Sequence, residues 1–246
     1  MSEMKILRHI MFFLLFPAGI FCVHAEDISG GHTEKLVVSA SAPQNGKLEF
    51  IYRIPKKYNS ESRIMVLFGG RNWPAAQTLE RYKFDGFADR HNLFLLSPSF
   101  RNDDYWEPQK WSGKALFQAV EELEKRFGLK SGKLYFYGYS AGGQCVVLFY
   151  DYASERVDAW AVHASGVYFN AKGWKKSFAP GLITCGTDDA ERFQISRNFI
   201  FNFRESGGDV IWVPYRDRGH ELTDEALEIA RQFFEEEATP TLIPLF

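Results

Sequence analysis

The stretch Lys133-Leu-Tyr-Phe-Tyr-Gly-Tyr-Ser-Ala-Gly-Gly-Gln-Cys-Val-Val-Leu-Phe-Tyr-Asp-Tyr152 changes period at its centre. Its first five residues, Lys133 to Tyr137, read as a buried strand, and Ala141 to Tyr152 is a helix-compatible run. The join is Gly138-Tyr139-Ser140-Ala141-Gly142, a G-x-S-x-G pattern. A serine in a sharp strand-to-helix turn takes strained backbone angles, and the residues two before and two after it must lack side chains for the chains to pass. Such a turn exposes the Ser140 hydroxyl at the carboxyl edge of a sheet. There the N-terminus of the next helix offers backbone N–H groups and positive potential to an oxyanion.

Working outward, compact apolar runs at Arg63 to Phe68, Leu93 to Pro98, Val157 to His163, Leu182 to Cys185 and Val210 to Pro214 have the same buried-strand character. Helix-period stretches lie between several of them: Ala75 to Arg90, Lys114 to Phe127 and Phe193 to Phe203, with a closing helix over Leu222 to Phe234. Two further strand-like runs, Leu36 to Ser41 and Leu48 to Ile54, flank the turn signal Pro43-Gln44-Asn45-Gly46 and predict an antiparallel hairpin. The alternation predicts an α/β fold: a mostly parallel sheet with helices on both faces, opened by that hairpin, within one domain over residues 26–246.

A serine hydroxyl is a poor nucleophile until a base takes its proton, and the base needs an acid to fix its tautomer and stabilise its cation. His220, in Arg218-Gly219-His220-Glu221, is the one histidine that follows the last strand, on the loop entering the final helix. His163 ends a strand near the same edge but precedes the acid strand, so it reads at most as a pocket residue in contact with substrate or as one supporting the catalytic residues from behind. His32 and His91 read as surface loop residues. Gly186-Thr187-Asp188-Asp189 supplies two carboxylates after a strand. Asp189 clears the strand end and is the preferred acid, while Asp188 fits a turn or helix cap equally well. The order Ser140, Asp189, His220 differs from that of the trypsin-like and subtilisin-like enzymes. The loop Gly69-Gly70-Arg71-Asn72-Trp73 follows another strand, and Gly70 is the expected second oxyanion donor beside Ala141.

The 246 residues carry a net charge of −2, 46% hydrophobic and 16% aromatic residues, with no basic excess for phosphate neutralisation, so nucleic acid is not expected as a partner. Lys5 and Arg8 precede an apolar run, Ile10 to Val23, that ends in Val23-His24-Ala25, the form of a signal peptide over residues 1–25 cleaved after Ala25. An uncleaved anchor differs from it mainly in length. The remaining chain has no stretch long enough for a membrane span and is expected to be secreted or periplasmic. Cys145 and Cys185 sit in apolar segments and read as buried thiols. No Cys/His spacing suits a metal.

Gly138-Tyr139-Ser140-Ala141-Gly142, Gly186-Thr187-Asp188-Asp189 and Gly219-His220, in that order, resemble the α/β-hydrolase superfamily, and within it the secreted esterases related to polyhydroxybutyrate depolymerases, feruloyl esterases and dienelactone hydrolases. The resemblance spans nearly all of residues 36–236. It implies a serine carboxylic ester hydrolase acting through an acyl-enzyme without cofactor. Family members commonly show His-Gly on the oxyanion loop where this chain has Phe68-Gly69, and dienelactone hydrolases proper place cysteine at the position of Ser140. Only Ala164 to Pro180 lie where a cap is usually inserted, so no cap domain is expected. An open site suits an acyl group on something large, such as a polysaccharide or polyester, although a small-molecule ester fits the same chemistry. Trp73, Tyr105, Trp106 and Trp174 are candidates to stack on it, or merely to pack loops. Two other readings stay open: a prolyl-oligopeptidase-like serine peptidase, and a non-catalytic binding module on the same scaffold. Oligomeric state is not legible.

Overall fold

In the computed structural model, which describes residues 30–39, 46–100, 105, 107–130, 132–176 and 178–238, the central stretch forms strand β5 (Leu134–Tyr139) and helix α4 (Ala141–Ala153). β5 is flanked in parallel by β3 (Ile64–Phe68) and β6 (Val157–His163). The sheet continues through β7 (Gly181–Gly186) to β8 (Val210–Tyr215) on one side, and through β4 (Phe94–Pro98), β2 (Lys47–Arg53) and β1 (Thr33–Ser39) on the other. Eight strands thus run in the order β1-β2-β4-β3-β5-β6-β7-β8, antiparallel only at β1/β2 and β2/β4. Ser39 faces Lys47 across the opening hairpin. Most of its turn signal, residues 43–45, lies outside the described residues, as does the expected signal peptide.

Period-2 alternation in the inner strands sorts the core into two halves. Ile64, Val66, Phe68 and Phe136 pack beneath α3 (Ser112–Phe127), α4 and α5 (Ala190–Glu205), while Met65, Leu67, Tyr135 and Tyr137 pack against α1 (Ala75–Tyr82), α2 (Asp85–His91) and α6 (Asp224–Ala238). β3, β4, β5 and β7 are buried along their whole length, as their apolar runs require. β8 is different. It is the sheet edge, Ile211 is 46% exposed, and Pro214, which has no N–H to give a further strand, is tolerated there.

One expected helix is two. The run Ala75 to Arg90 breaks at Lys83, which takes a left-handed conformation (φ 53°) and closes α1 with its N–H on the Leu79 carbonyl. The break turns Phe84 into the core, where its ring lies 5.3 Å from that of Tyr137 and 5.6 Å from that of Phe87. The last helix starts two residues later than expected because the Thr223 hydroxyl accepts the Ala226 N–H at 3.1 Å, making Thr223 the cap. Cys145 and Cys185 are buried and free. No helix among the described residues is long and apolar enough to cross a membrane.

Candidate active site

Ser140 stands between β5 and α4 with φ 58° and ψ −119°, a conformation L-residues rarely adopt and one that costs about 1–3 kcal/mol. Its surroundings hold it there. The Ser140 N–H donates to the His163 carbonyl at 2.9 Å. A Cβ on Gly138 would lie 2.2 Å from the Gly142 carbonyl oxygen, and one on Gly142 would lie 1.9 Å from that of Phe68. The two glycines therefore let the elbow close on itself and seat the start of α4 against the end of β3.

The Ser140 Oγ lies 2.8 Å from Nε2 of His220, and Nδ1 of that ring lies 2.7 Å from Asp189 Oδ2. A carboxylate only accepts, so the imidazole proton sits on Nδ1 and the Nε2 lone pair faces the serine hydroxyl. Asp189 is 8% exposed, and its second oxygen accepts from Arg192 Nη1 at 3.1 Å. Asp189 occupies the N-cap of α5, yet its side chain makes no capping bond and is spent on His220 and Arg192. Asp188 is exposed, and among the described residues its side chain bonds to its neighbour, the Thr187 hydroxyl. Ser140, Asp189 and His220 are thus brought together, and Asp188 stays outside.

The acid and histidine loops are stitched to each other. Thr187 N–H donates to the Tyr215 carbonyl (2.8 Å), Asp188 N–H to that of Arg218 (2.9 Å), and Asp217 N–H to the Thr187 hydroxyl (3.0 Å). Only glycine fits at 186, where a Cβ would come 2.1 Å from the Arg218 carbonyl.

His163 corrects the expectation of a substrate contact. It is 3% exposed, its Nε2–H donates to the Glu221 carbonyl at 2.8 Å and its Nδ1 accepts from the Thr184 hydroxyl at 2.7 Å. With both nitrogens committed it anchors the histidine loop. Burial holds its pKa down at about 4, so it is neutral. Tyr139, which the sequence did not single out, contacts both histidines: its ring stacks on His163 at 5.5 Å and on His220 at 5.1 Å, each at 25°, and its hydroxyl donates to the His220 carbonyl at 3.1 Å. Arg192 was also missed. Its spacing three residues after Asp189, on the first turn of the following helix, was the available signal.

Ala141, first residue of α4, has an N–H in the turn that lacks intrahelical acceptors. The Gly70 carbonyl accepts the Trp73 N–H at 3.0 Å, closing the loop as a turn. The buried Tyr82 hydroxyl donates to the Phe68 carbonyl at 2.5 Å and accepts the Tyr139 N–H at 2.9 Å, tying the end of β3 before Gly69-Gly70 to the elbow. Beside this loop is a cavity of about 10 Å³, room for one water-sized group, lined in part by Gly70, Trp73, Phe100, Tyr105 and Cys145.

Among the expected stacking residues, Trp73 is half-buried beside Tyr139 (5.8 Å) with the Arg81 guanidinium 4.4 Å from its ring centroid. Tyr105 is 4% exposed and packs on Phe100, presenting little surface beyond that cavity. Trp174 does not belong to the site. It packs on Tyr150, Phe203 and Phe178 and donates to Asp151, about 16.5 Å along α4 from Ser140 at the helical rise per residue. Trp106 lies outside the described residues. Among the described residues no three His, Cys, Asp or Glu side chains converge as metal ligands.

The chain matches no family model and no curated protein sequence. Solved structures do resemble it. An S-formylglutathione hydrolase from Agrobacterium tumefaciens superposes with a TM-score of 0.68 at 13% identity, over 87% of this chain and 96% of that one. An S-formylglutathione hydrolase (FrmB) from Staphylococcus aureus gives 0.64 at 12%, over 85% and 100%. A ferulic acid esterase gives 0.62 at 14%, over 83% and 95%. At such identities a superposition speaks for architecture alone, and together with the mostly parallel eight-stranded sheet it shows that this chain has the α/β-hydrolase fold.

Proposed function

We propose that the chain is a serine hydrolase that cleaves carboxylic esters through an acyl-enzyme. The observation that carries this reading is the continuous line of hydrogen bonds from Ser140 Oγ through His220 to Asp189, at 2.8 and 2.7 Å. His220 Nε2 takes the hydroxyl proton as Ser140 attacks the ester carbonyl. The oxyanion that forms meets the N–H groups of Ala141 and Gly70, and each such donor is worth about 3–4 kcal/mol in the transition state. His220 then returns its proton to the leaving alcohol, and water repeats the sequence on the acyl-serine. Esterases and hydrolases among the structural neighbours support this choice of reaction.

The substrate is an acyl ester on a bulky alcohol or polymer. In support, none of the described residues between 164 and 180 is in a helix or strand, and many pack inward, Ala171 and Trp174 being buried, which leaves the serine uncapped on that side. Export through the Ile10 to Val23 leader would bring the enzyme to such a polymer.

The test is turnover of p-nitrophenyl acetate and butyrate by the purified chain. Wild type hydrolyses both and Ser140→Ala falls to background. Equal turnover by the two proteins would refute the reading.

A further inference from the structure

We infer that Tyr139 is a positioning residue for the catalytic base: its ring forms the platform on which the His220 imidazole turns from neutral to cationic, and its hydroxyl pins the backbone that carries it. The inference rests on the serine-hydrolase reading above.

The Tyr139 ring stacks with that of His220 at 5.1 Å and with that of His163 at 5.5 Å, at 25° to each. The chain also grips two consecutive carbonyls of the histidine loop from adjacent strands. Tyr139 at the end of β5 donates to the His220 carbonyl at 3.1 Å, and His163 at the end of β6 donates to the Glu221 carbonyl at 2.8 Å. His220 is otherwise weakly enclosed: its side chain is 32% exposed, and its remaining side-chain hydrogen bonds are to Ser140 and Asp189. A ring that accepts a proton in every half-reaction and lies at the surface needs a wall against rotation out of line, and Tyr139 is the wall on one face.

The wall has the right electrostatics. An aromatic face is negative, so it attracts an imidazolium more than an imidazole, and the stabilisation grows as the transition state transfers charge to the base. His163, whose ring also packs against Tyr139, stays neutral, so it adds no positive charge to oppose the cation. Tyr139 itself is held rigid by the Tyr82 hydroxyl on its N–H and by Trp73 at 5.8 Å.

Three variants of the full chain separate the parts. Tyr139→Phe keeps the platform and loses the hydroxyl, and is expected to retain kcat within about fivefold, the cost of one neutral hydrogen bond. Tyr139→Leu and Tyr139→Met lose the platform, and kcat is expected to fall on the order of tenfold beyond the phenylalanine variant, with KM within about twofold, because misplacement of the base acts on the reaction and not on ester binding. The rate of fluorophosphonate labelling at Ser140 should fall in the same order. Aliphatic variants as fast as Tyr139→Phe by both measures would overturn the inference.

Should neither aliphatic variant fold, proton NMR of the wild-type enzyme decides. Ring protons of His220 lying over the tyrosine face resonate upfield of ordinary histidine positions, and remain so in Tyr139→Phe; ordinary positions overturn the inference. Labelling needs the Ser140–His220 pair but no particular ester. Brisk labelling without ester turnover would therefore sink the substrate reading alone and leave the labelling rates to decide on Tyr139.

Discussion

At the scale of single residues, the choice between two adjacent carboxylates is the sharpest point. Asp189 faces His220 Nδ1 and is 8% exposed, whereas Asp188 is exposed. Asp189→Asn removes the acceptor that fixes the imidazole tautomer and should lower kcat by about 10³–10⁴-fold. Asp188→Asn should leave kcat within about twofold, as is usual for exposed substitutions away from special features. Steady-state kinetics on one ester compares them directly, and the reverse ranking would reassign the acid. Gly142→Ala is expected to disrupt the elbow, since its Cβ would fall 1.9 Å from a backbone oxygen that cannot move without displacing β3. The convergence of Ser140, Asp189 and His220 was legible because each follows a strand, in the chain order that the resemblance to α/β-hydrolases implies. Tyr139 was not, because its role comes from which way its side chain turns, which spacing does not encode; Arg192 was signalled only by its place three residues after Asp189.

At the scale of elements, the inner strands were legible nearly to the residue, since unbroken apolar runs have few other uses, whereas the half-exposed β1 begins three residues before the expected Leu36. The helices were less so. Periodicity across Ala75 to Arg90 does not register that Lys83 flips to a left-handed conformation so that Phe84 can be buried. The cap of α6 makes a simple test. Thr223→Ala leaves the Ala226 N–H without its side-chain acceptor and should cost about 1 kcal/mol, read as a lowered urea midpoint with unchanged slope. No loss of stability would mean that α6 is held by its apolar face alone.

At the scale of the whole molecule, stability and the site are linked through His163. In the folded chain burial keeps it neutral down to about pH 4, whereas the unfolded chain takes up the proton near pH 6.5. Its contribution is therefore complete above pH 6.5 and is lost as the pH falls toward 4, by about 3 kcal/mol in all at 1.36 kcal/mol per unit. Urea unfolding of wild type and His163→Gln at pH 7 and pH 4.5 isolates this from the carboxylates: the wild type should lose about 2–3 kcal/mol more than the variant over that interval. Parallel losses would show that His163 is not the titrating group.

The same uncapped architecture predicts preference for an acylated polymer over a long-chain triglyceride, checked by acid release from each. Equal turnover of the triglyceride would count against an open site.

The central claim, that three loops make Ser140 a nucleophile, is tested most directly by intact-mass analysis after brief exposure to a fluorophosphonate, followed by peptide mapping. One adduct per chain, on Ser140, absent from Ser140→Ala and greatly slowed in His220→Ala, is the expected result. No adduct on the folded wild type, or one that persists in Ser140→Ala, would contradict it.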